Sequence, residues 1–239
     1  MVADRAGESQ PCTMGLKFRS QTKTVLNPGV IETALLALAL FAACLVQPWR
    51  LLALGARHEL IAPLIGCTLV LSALWWWPGS TLSPLLPLVG AQLTLLALGW
   101  PLAVLVFTTV GLFGLLAGAS PGAVVDAITW QGVLPATMAL ALGAILRRLW
   151  HPNLPTYLLG RGFLVPMLCT WSIALLANAV ADRHAWLGEH AGAALTLVAL
   201  LDAMLTGFVV TMLVMHRPAV LATWSDDLYL GGRHRRAPA

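Results

Sequence analysis

The sequence predicts an all-α, polytopic membrane protein, a helical bundle of about seven transmembrane segments, and three observations support this fold class. The chain of 239 residues is 59% hydrophobic and only 10% charged, whereas soluble domains average about 25% charged residues. Long stretches almost free of ionisable side chains recur along it, and a spanning helix needs about 20 apolar residues. None of them alternates apolar and polar residues as the strands of a membrane barrel do.

Apolar stretches define the predicted segments, and they cover residues 30–49, 60–77, 84–118, 123–146, 156–181 and 191–215. The third stretch is too long for one ordinary span, and Gly99, Trp100 and Pro101 interrupt its middle. Because proline begins helices better than it continues them, we predict two short helices there, over 84–98 and 101–118. This gives seven segments, or six net crossings if residues 84–118 cross only once.

The chain divides into one transmembrane domain with a polar region at each end. We predict a flexible tail over residues 1–29, the transmembrane domain over 30–216 and a C-terminal tail over 217–239. Lys and Arg favour the cytoplasmic side of a membrane, and arginines cluster at 147–148 and at 233–236. We therefore expect a bacterial inner-membrane protein with a cytoplasmic C-terminus, while the side of the N-terminal tail stays open.

Three patches from residue 84 onward carry a likeness to a known family. They are Leu88-Val89-Gly90-Ala91 with 98–103, then Pro152-Asn153-Leu154 with Tyr157 and Phe163, and last Ala203-Met204-Leu205-Thr206-Gly207 with Arg217-Pro218 and Ala222-Thr223-Trp224. In order and spacing, these patches resemble the CbiM-like permeases of energy-coupling-factor ABC transporters. Those permeases are the substrate-capture subunits of cobalt and nickel importers.

The resemblance implies a permease that works with separate transmembrane coupling and ATPase subunits. The chain has no GxxxxGK[ST] phosphate-binding loop of its own, so it would not hydrolyse ATP alone. The family's Met-His start is absent from Met1-Val2-Ala3, and Pro87 stands where the family has a histidine. We therefore expect no tight Co²⁺ or Ni²⁺ site of the family's N-terminal kind. The resemblance implies a transition-metal ion or another small solute as the substrate, and no metal ligand is assigned.

Asp202 is the most informative candidate for substrate binding. It lies in the middle of a predicted span, where a carboxylate costs about 2.5–3.5 kcal/mol on insertion scales. We expect it to face the protein interior and to share a cavity with Thr206, one turn on, and with Gln92 and Thr94. The alternative is a structural bond from Asp202 to an arginine or a hydroxyl group. Arg161 is a further candidate ligand, although we expect its side chain to snorkel to the interface.

Ala39 and Ala43 form a pair of small residues, one helical turn apart, on the first segment. Such pairs let helices approach each other closely. The resemblance makes this pair a candidate docking surface for the coupling subunit.

Two rival functions come from other classes. An intramembrane serine enzyme would need a buried histidine as its base, and no predicted span offers one to Ser120. We therefore expect no enzymatic activity, no catalytic residue and no cofactor. The other rival is a non-transporting membrane subunit that uses the fold to bind a partner complex. Membrane lipid is an expected partner in either case, and nucleic acid is not.

Overall fold

The computed structural model describes residues 28–48, 58–76, 88–150, 153–181 and 185–223. All the regular structure in these ranges is helical, and they contain no strand. The prediction of an all-α protein is therefore confirmed. Of the two predicted tails, only residues 28–29 and 217–223 belong to the described part of the chain.

The first half of the described chain contains four helices, which cover Pro28–Leu45 (α1), His58–Trp76 (α2), Ala91–Leu98 (α3) and Trp100–Leu116 (α4). Gly99 separates α3 from α4, with φ 77° and ψ 163°. This backbone conformation is almost restricted to glycine. Pro101 follows in the first turn of α4, where its missing N–H group costs no hydrogen bond. The predicted break at Gly99–Pro101 is therefore confirmed.

The second half contains three longer rods and two short 3₁₀ turns. Its elements are Pro121–Ala127 (α5), a π-helical stretch at Ile128–Val133, Leu134–Leu149 (α6), a second π-helical stretch at Thr156–Leu164, Val165–Ala181 (α7), a 3₁₀ turn at Ala185–His190, Ala191–His216 (α8) and a 3₁₀ turn at Pro218–Val220. The two π-helical stretches continue directly into α6 and α7. Such stretches are frequent at functional sites.

Hydropathy and length give the chain the character of an integral membrane protein. Within the described ranges, three helices are long and apolar enough to cross a membrane, at Pro121–Leu149, Thr156–Val180 and Gly188–His216. Shorter apolar helices accompany them at Gly29–Leu45, Ile61–Trp76 and Trp100–Leu116.

Helix α3 is shorter than the sequence predicted. It has eight residues, or about 12 Å at 1.5 Å per residue, against a hydrocarbon core about 30 Å thick. It cannot cross a bilayer by itself. Residues 84–87 of the predicted helix at 84–98 lie outside the described ranges. Within those ranges the helix begins at Ala91, because Gly90 is in the left-handed conformation, with φ 99°.

The short helix α3 lies inside the molecule. Nearly all of its residues are buried, and it packs against α2, α4, α6 and α8. The long rods around it pack in sequence order, α6 against α7 and α7 against α8. Large apolar side chains such as Leu38, Leu116 and Phe208 lie on the outer surface. The fold therefore places a short, interrupted helix at its centre and apolar side chains outside.

Candidate functional site

Asp202 holds the N-terminal end of α3. Its side chain, on α8, is fully buried, with 0% exposure. The Gly90 backbone N–H donates to Asp202 Oδ1 at 3.0 Å, and the Thr170 hydroxyl, on α7, donates to Oδ2 at 2.6 Å. The prediction that Asp202 faces the protein interior is confirmed. Both carboxylate oxygens have a protein partner, which matches the structural alternative of a bond to a hydroxyl.

The position of this carboxylate follows from the chemistry of helix ends. The first backbone N–H groups of a helix have no partner within the helix, and the helix dipole favours a negative charge there. Gly90 precedes the first residue of α3 and supplies no side chain that could cap it. The carboxylate of Asp202 therefore stabilises the start of α3 from a neighbouring helix.

The opposite end of α3 is held by the segment that follows α8. The Ala222 backbone N–H donates to the carbonyl oxygen of Ala97 at 3.0 Å. The Thr223 hydroxyl donates to the carbonyl oxygen of Leu96 at 3.0 Å, and it lies 2.9 Å from the Tyr157 hydroxyl. These contacts satisfy carbonyl groups that a helix C-terminus leaves without partners. Residues 202–223 thus contact both ends of the buried helix.

The other predicted site residues lie on two sides of α3. The Thr94 hydroxyl donates to the carbonyl oxygen of Gly90, and Thr94 lines a groove toward α2 and α8. Gln92 lines a separate cavity toward α6 and α7. Residues two apart on a helix point about 200° apart, so the two side chains cannot share one cavity. The expectation of a single cavity for Gln92 and Thr94 is therefore wrong.

Thr206 is the remaining member of the predicted set. It lies on α8, one turn after Asp202, and has 0% exposure. Its hydroxyl has no hydrogen bond of regular geometry within the described part of the chain, but it lies close enough to interact with the Asp202 carboxylate. Thr206 is therefore a buried polar group close to Asp202, but it lines neither of the two cavities described here.

The larger cavity is a groove between α2, α3 and α8. Its volume is about 360 Å³, within the usual range of small-molecule sites, about 300–1,000 Å³. Its walls are almost wholly apolar, with Leu71 on α2 and Leu205 and Val209 on α8. The Cys67 thiol and the Thr94 hydroxyl supply its polar side-chain atoms. Such a groove suits a small and mostly apolar molecule.

The smaller cavity contains Arg161. It has a volume of about 10 Å³ and is lined by Gln92, Leu95, Leu96, Ala139, Arg161 and Val165. The Arg161 side chain is only 7% exposed, so the expectation that it snorkels to the interface is wrong. The physical reason is Gly143 on α6, where an added Cβ would lie 3.0 Å from Nε and Nη2 of Arg161. The missing side chain at Gly143 leaves room for the guanidinium group inside the bundle.

Gln92 lines the same cavity as Arg161 and carries an unpaired acceptor. Its Nε2 donates to the Pro135 carbonyl oxygen at 3.2 Å. A carbonyl oxygen can only accept a hydrogen bond, so this contact fixes which way the amide points. Gln92 Oε1 is buried and has no hydrogen-bond partner in the described part of the chain. Arg161 likewise makes no hydrogen bond or ion pair there.

Ala39 and Ala43 lie in the protein's own core. They are 7% and 0% exposed, and they belong to the main cluster of buried apolar side chains. The close approach that this pair permits therefore takes place within the chain, where α1 packs on α4 and α5. In this structure, the pair does not form a surface for docking a separate subunit.

A metal site has no support from the described residues. Among them, no group of three or more His, Cys, Asp or Glu side chains is close enough to hold a metal ion. Met1 and Pro87, on which the comparison with the metal-binding permeases depends, lie outside the described ranges. The metal ligands stay unassigned.

Several residues of the site escaped prediction from the sequence. Gly90, Tyr157 and Thr223 lie in the patches that carry the family resemblance, but nothing in the patches indicates that they hold α3. Thr170 and Gly143 carry no signal at all, because hydroxyl and glycine residues are common in membrane helices.

Comparisons of the chain with protein-family models, with curated proteins and with solved structures found no match. The likeness to CbiM-like permeases therefore depends on the sequence patches alone.

Proposed function

We propose that this chain is the substrate-binding membrane subunit of a transporter of the energy-coupling-factor ABC type. On this proposal it is a bundle of about seven membrane-embedded segments. Helices α3 and α4 together make one net crossing, which gives six crossings in all. It resides in a bacterial inner membrane with its C-terminus in the cytoplasm. Separate coupling and ATPase subunits supply the energy.

The interrupted helix supports a transport role. Non-helical backbone at membrane depth is tolerated where it is buried in protein or lines a cavity, and transporters commonly build substrate sites at such breaks. Here Gly90 and Gly99 bound a buried helix that is held by Asp202 at one end and by Thr223 at the other. On this proposal, the helix held by these contacts positions the substrate.

The observation that carries the proposal is the groove of about 360 Å³ beside this helix. Its apolar walls, with only the Thr94 hydroxyl and the Cys67 thiol as polar side-chain atoms, favour a small and largely apolar solute over a hydrated metal ion. Transition-metal ions need several nitrogen, sulfur or carboxylate ligands. We therefore propose a small organic solute as the substrate.

Filling the groove tests the proposal. The purified chain in lipid nanodiscs should release a specific small solute on denaturation, detectable by mass spectrometry. Val209→Trp places a large ring in the groove and should abolish that solute. The matched control is Leu201→Trp on the same helix, whose side chain is 53% exposed on the outer surface. Equal solute content in the two variants would contradict the proposal.

A second experiment separates the transporter from the non-transporting subunit. The tagged chain, cross-linked in its native membrane, should be recovered with a coupling subunit and an ATPase, and the complex should hydrolyse ATP. Recovery with a membrane complex that contains no ATPase would favour the non-transporting alternative. In that case the groove would serve partner binding or lipid binding instead.

A further inference from the structure

Arg161 is a positive charge in the protein interior for which the described chain provides no negative partner. The nearest candidate by type, Asp202, is occupied by Gly90 and Thr170. Thr170 follows Arg161 by nine positions along the same rod, or about 14 Å at 1.5 Å per residue. Charged side chains inside membrane proteins usually have a partner or mark a ligand path. We therefore ask which ligand could supply the missing negative charge.

The polar groups around the cavity define what that ligand must offer. The guanidinium group supplies N–H donors in a planar fork, which suits the oxygens of a planar anion. Gln92, which lines the same cavity, has its Oε1 buried without a partner in the described chain. Leu95, Ala139 and Val165 supply only apolar surface. A matching ligand therefore has anionic oxygens for Arg161 and an O–H donor for Gln92.

We propose that the cavity between Arg161 and Gln92 binds a small planar oxyanion that carries its own O–H group, with bicarbonate as the representative ion. The anionic oxygens accept hydrogen bonds from Arg161, and the O–H group donates to Gln92 Oε1. The cavity volume of about 10 Å³ is close to that of a single water. Binding of the anion therefore requires the long Arg161 side chain to shift and enlarge the cavity.

This site is distinct from the groove of the proposed function, because α3 separates the two cavities. Leu93 and Thr94 face the groove, whereas Gln92 and Leu95 face the anion cavity. The proposal can therefore be tested on the purified chain without transport. Failure of anion binding would leave the proposed solute in the groove unaffected.

The test compares two ions of the same charge and shape. Purified protein in nanodiscs is titrated with sodium bicarbonate or sodium nitrate in closed vessels at pH 8 and constant ionic strength, and the unfolding temperature is recorded. Nitrate is also a planar anion but has no O–H group. We expect the unfolding temperature to rise with bicarbonate until binding saturates. The apparent affinity for nitrate should be about tenfold lower, which is the usual effect of losing one hydrogen bond to a buried group.

Variants assign the effect to the two side chains. Arg161→Gln should abolish the response to both ions. Gln92→Met removes the acceptor but keeps the length of the side chain, so the two ions should then bind equally. Arg217→Gln removes an arginine that is exposed in the structure, and this control should respond like the unmodified protein.

Three outcomes would overturn the proposal. The first is no saturable response of the unmodified protein to either ion. The second is a preserved response in Arg161→Gln, which would place the anion elsewhere. The third is equal binding of bicarbonate and nitrate by the unmodified protein, which would remove the role of Gln92. The ligand-free unfolding of each variant shows whether it is folded before titration.

Discussion

Asp202 and Arg161 are both ionisable side chains buried among the same helices, but their surroundings differ. The carboxylate of Asp202 has a backbone N–H on one oxygen and a hydroxyl on the other. The guanidinium of Arg161 packs against Gly143 and shares a small cavity with an unpaired amide oxygen. The charge of Asp202 is therefore stabilised by partners within the fold, whereas the charge of Arg161 has no partner in the described chain.

The difference shows why burial alone does not identify a binding residue. A carboxylate beside a helix N-terminus is stabilised by the dipole and by N–H groups that otherwise have no partner. Asp202 contributes to folding for this reason, whatever else it does. An arginine that is buried without acceptors lowers stability until a ligand compensates its charge. The predictions below follow from this contrast, in order of decreasing expected effect.

The largest effect is expected from Asp202→Ala. The change leaves the Gly90 N–H and the Thr170 hydroxyl without partners in the protein interior. Hydrogen bonds to charged groups contribute about 1.5–3 kcal/mol each, so we expect the free energy of unfolding to fall by about 4 kcal/mol. Denaturant unfolding of the two proteins in mild detergent measures this change in the free energy of unfolding. The control is Glu189→Ala, an exposed acidic residue. A fall no larger than that of the control would show that Asp202 does not hold α3.

Arg161→Met should raise the free energy of unfolding, whereas Asp202→Ala lowers it. An apolar side chain of similar length removes a buried charge that lacks a partner. Replacing even a paired set of buried charges by apolar residues is often neutral or stabilises a protein by about 1–4 kcal/mol. We expect a gain of about 2 kcal/mol by the same unfolding measurement, in buffer free of bicarbonate. A loss similar to that of Asp202→Ala would mean that a protein group compensates the charge after all.

Tyr157→Phe tests the other end of α3. It removes the hydroxyl that lies 2.9 Å from Thr223 and leaves the buried ring in place. A single neutral hydrogen bond contributes about 0.5–1.5 kcal/mol, so we expect a loss of about 1 kcal/mol. Thr109→Val is the matched control, because the Thr109 hydroxyl bonds only to its own helix, at Leu105. An equal loss in the two variants would contradict a specific role for the Tyr157 contact.

Local sequence features predicted the parts of the fold that depend on one segment. Glycine, tryptophan and proline in succession marked the break after α3, and the high cost of a carboxylate in lipid predicted that Asp202 is buried. The burial of Arg161 depends instead on Gly143, which is 18 positions earlier on another helix. Ala39 and Ala43 were predicted as a packing pair, but the sequence cannot say which helix they pack against.

The candidate site was harder to predict because it depends on how α3 is rotated. Gln92 and Thr94 are both polar and close in sequence, and for this reason we predicted one shared cavity. Two residues apart on a helix, they lie on opposite sides of α3, and only the packing of α3 shows what each side contacts. Thr170 could not be singled out, because its importance comes entirely from its distance to Asp202.

The smallest effect on stability is expected from Asp202→Asn, and it separates the shape of this residue from its charge. The amide oxygen can still accept from the Gly90 N–H, and the amide nitrogen can donate to the Thr170 hydroxyl oxygen. Both contacts are kept in neutral form, which is about half as strong as the charged form. The neutral amide also avoids the cost of burying a charge, which offsets most of this weakening. We therefore expect a loss of about 0.5 kcal/mol in the same unfolding assay, well below that of Asp202→Ala.

The same variant tests whether the charge binds a cation. If Asp202 were a substrate ligand for Co²⁺ or Ni²⁺, either ion would raise the unfolding temperature of the unmodified protein but not of Asp202→Asn. We expect no rise in either protein, because both carboxylate oxygens already have partners and no cluster of metal-ligating side chains lies in the described chain. A rise that disappears in Asp202→Asn would show that the carboxylate leaves α3 to bind metal.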